Sequence, residues 1–494
     1  MKLDICYNIE GGIMKKVIMN KYTILLLFAI FFVLLFSYST LYNIGSGDSS
    51  IFLTIGKFWS DGKIPYVDLF DHKGPLIFFI SMLGYKIFGC AQGVLLFQFV
   101  SMFFSFYFLE KIAFLELKNK KKSVFLTFLT LCFLPILYGE GNLTEEYCLP
   151  FITCCMYLNL KFLNAYIKSK KINHKRIYSF IYGISLSVCF LTRLTNCISI
   201  LIGMGIIYII FLKEKKIKML LGSVFFTILG FLTLFLPFAI YFLSKNCFFD
   251  FIYGTLLYNL DYVSNLFSWV HNEYILIYIG IYIVCFFPSY IIFIIGILKF
   301  RKEKNFKFIF YMLLGLCENI LFLTGNLYPH YSMITLPNFV IALCEMENYF
   351  RKNKNIFYVP IVLFFYCCCF AYAFDFDDKL KNENYKIDEF ISHLDNKDSF
   401  IAVNLDDYKS IYINNDIVPF YKYFVLQDWQ ASNSNKMKLE LVNKFEKGNV
   451  KYILIQNEMA SVIYDLLLKK YDYKDSIKVD ENVISLYELK KEFN

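Results

Sequence analysis

The chain has 494 residues, of which 57% are hydrophobic, 20% aromatic and only 18% charged. That composition excludes a soluble globular protein and any role built on nucleic-acid contacts, and it points to a polytopic membrane protein. The formal charge is +9, yet from Asp375 onward 17 Lys face 22 Asp and Glu, so the tail carries −5 and the apolar remainder +14.

Residues 1–21 carry no membrane signal and read as a cytoplasmic N-terminal segment, with Met14 as an alternative start. The run Tyr22–Leu41 follows Lys15, Lys16 and Lys21. It is too long for a signal peptide and lacks a small-residue cleavage site, so it reads as a retained anchor. Together with Met219–Leu243, Tyr274–Leu298 and Phe357–Phe374, it has the roughly 20 apolar residues that cross a hydrocarbon core as a helix.

Basic clusters at Lys15–Lys21, Lys118–Lys122, Lys168–Arg176, Lys213–Lys218, Lys299–Lys307 and Arg351–Lys354 lie between the apolar segments or just before the first. Under the positive-inside rule all six face the cytoplasm. Each interval then holds two spans, and an eleventh follows the last cluster. The expected spans are 22–42, 92–115, 124–140, 147–165, 177–193, 197–212, 219–243, 274–298, 307–325, 331–349 and 356–374. The predicted fold is an all-α polytopic membrane domain of about 11 transmembrane helices over 22–374, with an outer loop at 43–91. The inner loops hold little beyond Lys, Arg and Asn, and the unusual polar clusters fall on the outer side.

The first such cluster is NIGSGD, ending at Asp48. A carboxylate there can deprotonate an acceptor hydroxyl, or Asp48 or Ser49 can cap a helix through Ile51–Trp59. The stretch YVDLFDHKGPLIFF (66–79) follows. Lys73 is a compact cation suited to phosphate, on a turn fixed by Gly74-Pro75. His72 is a candidate donor to the same anion or a proton carrier. Asp68 and Asp71 read as residues that shape the loop or hold His72.

GEGNLTEEYCLP places Glu140, Glu145 and Glu146 at an outer hairpin. Such acids hold a divalent cation or polarise a hydroxyl, or they sit in the first turn of a helix with Thr144 as cap. Arg193 in FLTRLTN is flanked by apolar sequence, so it is either functional or snorkelling to the outer surface. Asp261-Tyr262 and His330-Tyr331 complete the outer set. Trp59 and Trp269 suit an aromatic belt. The 15 cysteines lie mostly in apolar runs, including Cys367–Cys369, and read as packing residues without zinc-site spacing.

Beyond Asp375 the pattern alternates. Segments 387–394, 436–445 and 460–468 have helical spacing, and 400–403, 451–455 and 483–489 read as strands. Residues 375–494 therefore predict a small extracytoplasmic α/β domain.

These residues together resemble the integral-membrane C-type glycosyltransferases, in the bacterial branch related to protein O-mannosyltransferases and lipid A aminoarabinose transferases. The resemblance covers roughly Tyr22–Tyr349 and rests on Gly47-Asp48, on DGKIPYVD (61–68) and on HKGPL (72–76). It implies a sugar donor carried on polyprenyl phosphate and an extracytoplasmic glycan, lipid or protein as acceptor. Asp48 would be the general base, and Lys73, with His72, would bind the departing phosphate. Arg193, His330 and Tyr331 would line the donor-phosphate side, and Glu145 or Glu146, with Asp71, would serve the acceptor or a metal. A divalent cation at Asp48 and Glu145 is the cofactor left open. The chain departs from the family pattern in having Ser49 in place of an acid, Gly74 in place of a proline, and His330 in place of an arginine.

Two other functions fit the composition. A non-catalytic transporter or flippase of lipid-linked sugars would use the same outer cavity only to bind, and a degenerate relative would bind wall glycan through its tail. Transporters carry internal repeats and midplane charges. This chain shows no repeat and gathers its polar clusters on one side, which favours the enzyme.

Overall fold

The computed structural model describes residues 2–6, 16–43, 47–262, 275–325, 327–350, 385–395, 399–405, 408–447, 450–456, 458–479 and 482–493. The expected span at 356–374, the cysteines at 367–369 and Trp269 lie outside them.

An antiparallel ribbon of β1 (Lys2–Cys6) and β2 (Lys16–Asn20) leads into α1 (Lys21–Phe36), which Asn20 caps by accepting the Tyr22 N–H at 3.4 Å. A short α2 (Tyr38–Tyr42) follows a break at Ser37. Then come α3 (Asp48–Ser60) and α4 (Pro75–Phe88). The next helices are α5 (Leu95–Leu117), α6 (Lys120–Leu131), α7 (Leu134–Tyr138), α8 (Thr144–Ser169), α9 (Arg176–Phe190), α10 (Ile198–Lys213) and α11 (Ile217–Ser244). Short α12 (Phe248–Ile252), a π-helical turn at Tyr253–Leu257 and α13 (Tyr258–Tyr262) precede α14 (Ile275–Cys285) and α15 (Phe287–Lys302). Finally α16 (Phe306–Thr324), a 3-10 turn at Pro329–Thr335 and α17 (Leu336–Phe350) close the helical part.

Helices lie over the expected spans from 22 to 349, but four are interrupted. The 22–42 span breaks at Ser37, and 124–140 breaks between α6 and α7. The α14–α15 pair bends by 57° ahead of Pro288, as expected where proline denies the helix an N–H. The 331–349 span starts as the 3-10 turn. Among the described residues five helices are long and apolar enough to cross a membrane, or six counting the bent pair as one. Helix α11 turns Leu221, Phe225, Ile228 and Ile240 outward at more than half exposure, a surface stable only against lipid. The protein is an integral membrane protein.

Small residues set the closest helix contacts. A Cβ on Gly183 of α9 would lie 2.0 Å from the Thr227 carbonyl oxygen, and one on Gly230 of α11 would lie 2.1 Å from that of Phe180. Backbones pack this closely in membranes because dispersion, not hydrophobic expulsion, drives helix association there. The basic clusters are balanced by nearby acids: Lys307 pairs with Glu116 at 2.5 Å, Lys299 with Glu345 at 2.9 Å, and Lys122 with Glu347.

The C-terminal sheet has the order β3-β4-β6-β5. Strand β3 (Phe400–Val403) runs parallel to β4 (Tyr452–Gln456), while β6 (Asn482–Leu489) runs antiparallel to β4 and to β5 (Tyr471–Val479). Strand β5 went unread because the alternation of Tyr471, Tyr473, Ile477 and Val479 in YDYKDSIKV is broken at Asp475, where the register shifts, and most of the strand is exposed. Its charges suit an edge strand.

This unit packs on the α3–α4 region through a common core. Ile51, Phe52 and Ile55 of α3 cluster with Phe400, Tyr408 and Tyr412. The Phe70 N–H donates to the Lys422 carbonyl at 2.9 Å, and Lys57 pairs with Asp416.

Candidate active site

The loop between α3 and α4 is locked from within. Asp68 Oδ2 accepts the Ile64 N–H at 2.7 Å and Asp71 Oδ1 accepts the Lys73 N–H at 2.9 Å, so both carboxylates do shape the loop. Tyr66, at φ 71°, donates its hydroxyl to the Lys73 carbonyl at 2.8 Å. Asn259 reaches across from α13 to donate to the His72 carbonyl at 2.8 Å.

The next residues are pinned to the end of α9. Gly74 N–H donates to Thr192 and Leu76 N–H to Leu191, both at 2.8 Å. A Cβ on Gly74 would lie 2.2 Å from the Leu191 carbonyl carbon. Glycine therefore serves where a second proline could neither fit nor donate.

This places Lys73 Nζ 3.4 Å from Asp48 Oδ2 and 2.9 Å from His72 Nε2. An ammonium has no acceptor, so His72 Nε2 accepts and the ring proton sits on Nδ1, which faces Asp71 Oδ2 at 3.7 Å. The His72 ring packs against Tyr258 and Trp429, at centroid distances of 5.8 and 5.7 Å, and those two rings also pack on each other.

A second group forms where α8 starts and α9 ends. Arg193 Nη1 donates to Glu145 Oε1 at 2.7 Å, and its guanidinium carbon lies 3.2 Å from the Tyr331 ring centroid. Arg193 is thus paired and stacked, not a lone snorkelling side chain. His330 packs edge-on against Tyr331 at 4.6 Å. Thr144 does not cap α8; Leu143 holds that position and the Thr144 hydroxyl donates to Glu145 at 2.9 Å.

Helix α3 also lacks a cap of its own. Its N-cap is Gly47, not Asp48 or Ser49, and the free Gly47 and Ser49 N–H groups are received by Glu140, the latter at 3.1 Å. A carboxylate suits that end of the helix dipole. Glu146 stands apart: Tyr138, Gln98 and the Asn142 N–H donate to it at 2.7, 3.1 and 2.8 Å. It serves a buried network with Ser37, not the Asp48 group. Asp261 and Tyr262 end α13, and their side chains lie outside the described residues.

Burial and charge set the proton affinities. Burial pushes the Asp48 carboxyl up, but the positive field of Lys73, with Lys409 behind it, reverses this and holds it well below the carboxylate range. Burial, with Asp48 beside it, pushes Asp71 up to about 6. Glu140 is pushed up to about 7, again by burial, against the opposing pull of Lys409. Burial and Lys73 hold His72 well below the usual histidine value, so its ring is neutral. Burial lowers Lys73, and Asp48 and Asp71 raise it above the ordinary lysine value.

The family model for the competence-induced protein Ccs4 N-terminal domain matches residues 13–356. The chain belongs to this Ccs4 family. No curated protein matches it. Among solved structures the Ccs4-family chain is similar to ArnT from Cupriavidus metallidurans bound to undecaprenyl phosphate. The TM-score is 0.58 at 10% identity, over 94% of this chain and 97% of that one. It is also similar to the Archaeoglobus fulgidus oligosaccharyltransferase tethered with an acceptor peptide, with a TM-score of 0.51 at 11% identity, over 96% and 74%. The fold is that of the C-type membrane glycosyltransferases.

In this Ccs4-family chain the carboxylates expected to hold a cation are already engaged, Asp48 with Lys73 and Glu145 with Arg193. Among the described residues no three His, Cys, Asp or Glu side chains converge on a metal-sized site. The donor set does not fit a divalent ion. Sequence reasoning named Glu140 only among the outer-hairpin acids, not as the acceptor for the start of α3, and missed Lys409, Asn259 and Trp429, which come from distant segments without any local motif.

Proposed function

We propose that the protein is a glycosyltransferase that moves a sugar from a polyprenyl-phosphate donor to an extracytoplasmic glycan, lipid or protein, with inversion. The observation that carries this reading is the Asp48–Lys73 pair at 3.4 Å, set beside the half-buried Arg193 and Tyr331 on the buried Glu145. In this reading eleven spans place the basic clusters in the cytoplasm and residues 375–494 outside. Residues 1–21 then lie inside, and the loop at 43–91 faces outward.

The chemistry needs a base for the incoming hydroxyl and positive charge for the leaving phosphate, on opposite faces of the sugar. Lys73, His72, Arg193, His330 and Tyr331 take the phosphate side. Asp48 takes the acceptor proton. The acceptor oxygen attacks the anomeric carbon while the bond from that carbon to the phosphate oxygen breaks, and the electron pair leaves with the phosphate. One in-line displacement inverts the carbon.

The resting salt bridge adds a control. While paired with Lys73, Asp48 is a poor base, because the adjacent ammonium favours its ionised form. A donor phosphate that draws Lys73 away raises the basicity of Asp48 only once donor is present. The test is transfer by purified protein in lipid bilayers, followed by mass spectrometry over a panel of polyprenyl-phosphate sugars and acceptors. Asp48→Asn should lower turnover by about 10²–10⁴-fold with the melting temperature kept. Full activity of Asp48→Asn would remove the base assignment.

A further inference from the structure

Lys409 belongs to the C-terminal unit, between β3 and the short helix Ile411–Asn414. Its neighbours Tyr408 and Ile411 are each 2% exposed and share a core with Ile51, Phe52 and Ile55 of α3. That packing fixes Lys409 against the helix that begins at Asp48. Lys409 is itself only 8% exposed, yet its ammonium makes no ion pair or hydrogen bond to any described residue. A largely buried side chain whose ammonium has no direct protein partner is open to an anionic ligand, which would offset its desolvation.

Two further acids lie near Asp48: Glu140, which receives the start of α3, and Glu145, which pairs with Arg193 at the start of α8. Lys409 acts on Asp48, Glu140 and Asp71. Besides burial, Arg193 feels chiefly Tyr331 and Glu145, and His330 feels Glu145, Asp48, Arg193 and Lys73. With the donor phosphate at the Lys73 and Arg193 side, as the glycosyltransferase reading has it, Lys409, which enters from the C-terminal unit packed on α3, is left for the acceptor.

We propose that Lys409 is an acceptor-binding residue that recognises a negatively charged group, phosphate or carboxylate, on the acceptor beside the hydroxyl that Asp48 deprotonates. This rests on the glycosyltransferase reading. A second observation supports an anionic acceptor. A cleft of about 270 Å³ opens between the α3–α4 loop and the segment Val418–Lys422, with Lys63, Lys422 and Lys444 on its walls. Its acid, Asp68, accepts the Ile64 N–H, and Lys422 pairs with Glu440 at 2.7 Å, so the cations turned to the cleft are chiefly Lys63 and Lys444. The cleft adjoins the site, because Phe70, next to Asp71, bonds to Lys422. Residues 375–494 carry −5 overall, so lysines on this face run against the charge of their own unit. A polyol-phosphate or uronic-acid glycan would find positive charge from the cleft to Asp48, and lysine suits either group as a point charge.

The test uses the full-length protein in lipid nanodiscs without donor. Calorimetric titrations with a short glycerol-phosphate oligomer, a uronic-acid oligosaccharide and a neutral oligosaccharide of equal length separate phosphate from carboxylate recognition. Polyprenyl phosphate is titrated alongside. Expected is preferential binding of one charged oligomer, weakened at least tenfold in Lys409→Gln and kept in Lys409→Arg, with polyprenyl phosphate affinity unchanged in both. Lys73→Ala should show the reverse. The assignment is overturned if the neutral oligomer binds as tightly as the charged ones, or if Lys409→Gln lowers polyprenyl phosphate affinity as much as Lys73→Ala does. Unchanged polyprenyl phosphate affinity also serves as the folding control. Failure of the unmodified protein to bind polyprenyl phosphate would instead overturn the glycosyltransferase reading.

Discussion

Asp48, Asp71 and Glu140 are three acids in one charged neighbourhood, and their surroundings divide them. Asp48 has Lys73 at 3.4 Å and stays ionised. Asp71 and Glu140, raised to about 6 and about 7, carry protons in the folded state that the unfolded chain would release near their ordinary values of 3.8 and 4.5. The stability they confer is therefore complete below about pH 4 and is lost as the pH rises through about 6 to 7, with a slope of up to about 1.4 kcal/mol per pH unit for each proton. The apparent melting temperature in detergent should fall between about pH 5 and 7. Glu140→Gln keeps an acceptor for Ser49 but has no proton to lose, so its decline should be shallower. An identical slope in the variant would show that Glu140 does not titrate there. Of these residues Asp48, Lys73 and Arg193 were legible because charge beside apolar runs is conspicuous. Glu140 was visible as an acid, but its acceptance of the Ser49 N–H across 91 positions was not.

At the scale of elements, the sequence located the helices over most of the expected spans because apolar length is a direct demand of the bilayer. It did not find α4, which sits inside what reads as one outer loop. Nor could it find the break at Ser37, where a hydroxyl leaves the helical run to meet Tyr138 and Gln98. Polar partners this distant compete with local helix continuity and leave no periodic trace. The close approach at Gly74 gives a sharp test. Gly74→Ala puts a methyl group 2.2 Å from the Leu191 carbonyl carbon, so the α4 start and Lys73 must shift. Overpacking of this kind costs about 1–3 kcal/mol. The expected result is a lower melting temperature together with a raised KM for donor, and an unchanged KM would show that the pin does not position Lys73.

For the whole molecule, the proposed topology puts the C-terminal sheet and the Asp48 group on the outer side. An epitope after Asn494 should be reached by antibody in intact spheroplasts, and one inserted at residues 118–122 only after permeabilisation. The reverse labelling would overturn the proposed sidedness. The C-terminal unit is not a detached appendage, since Tyr408 and Tyr412 share a core with α3 and Trp429 lies against His72. Shortening the chain before β3 should therefore impair donor binding as well as any acceptor role, read as lost polyprenyl phosphate affinity in a protein that still inserts.

The sequence by itself determined that this is a membrane protein, where most helices run, and which conspicuous charges gather between them. Those properties follow from local composition, because lipid demands apolar length and makes every interior charge stand out. Tertiary structure alone decided that Lys73 faces Asp48, that Glu140 receives the start of α3, that Glu146 belongs to a separate network, and that Lys409 enters from the far end of the chain. These are meetings between segments tens to hundreds of residues apart, fixed by packing and hydrogen bonding that no local pattern records.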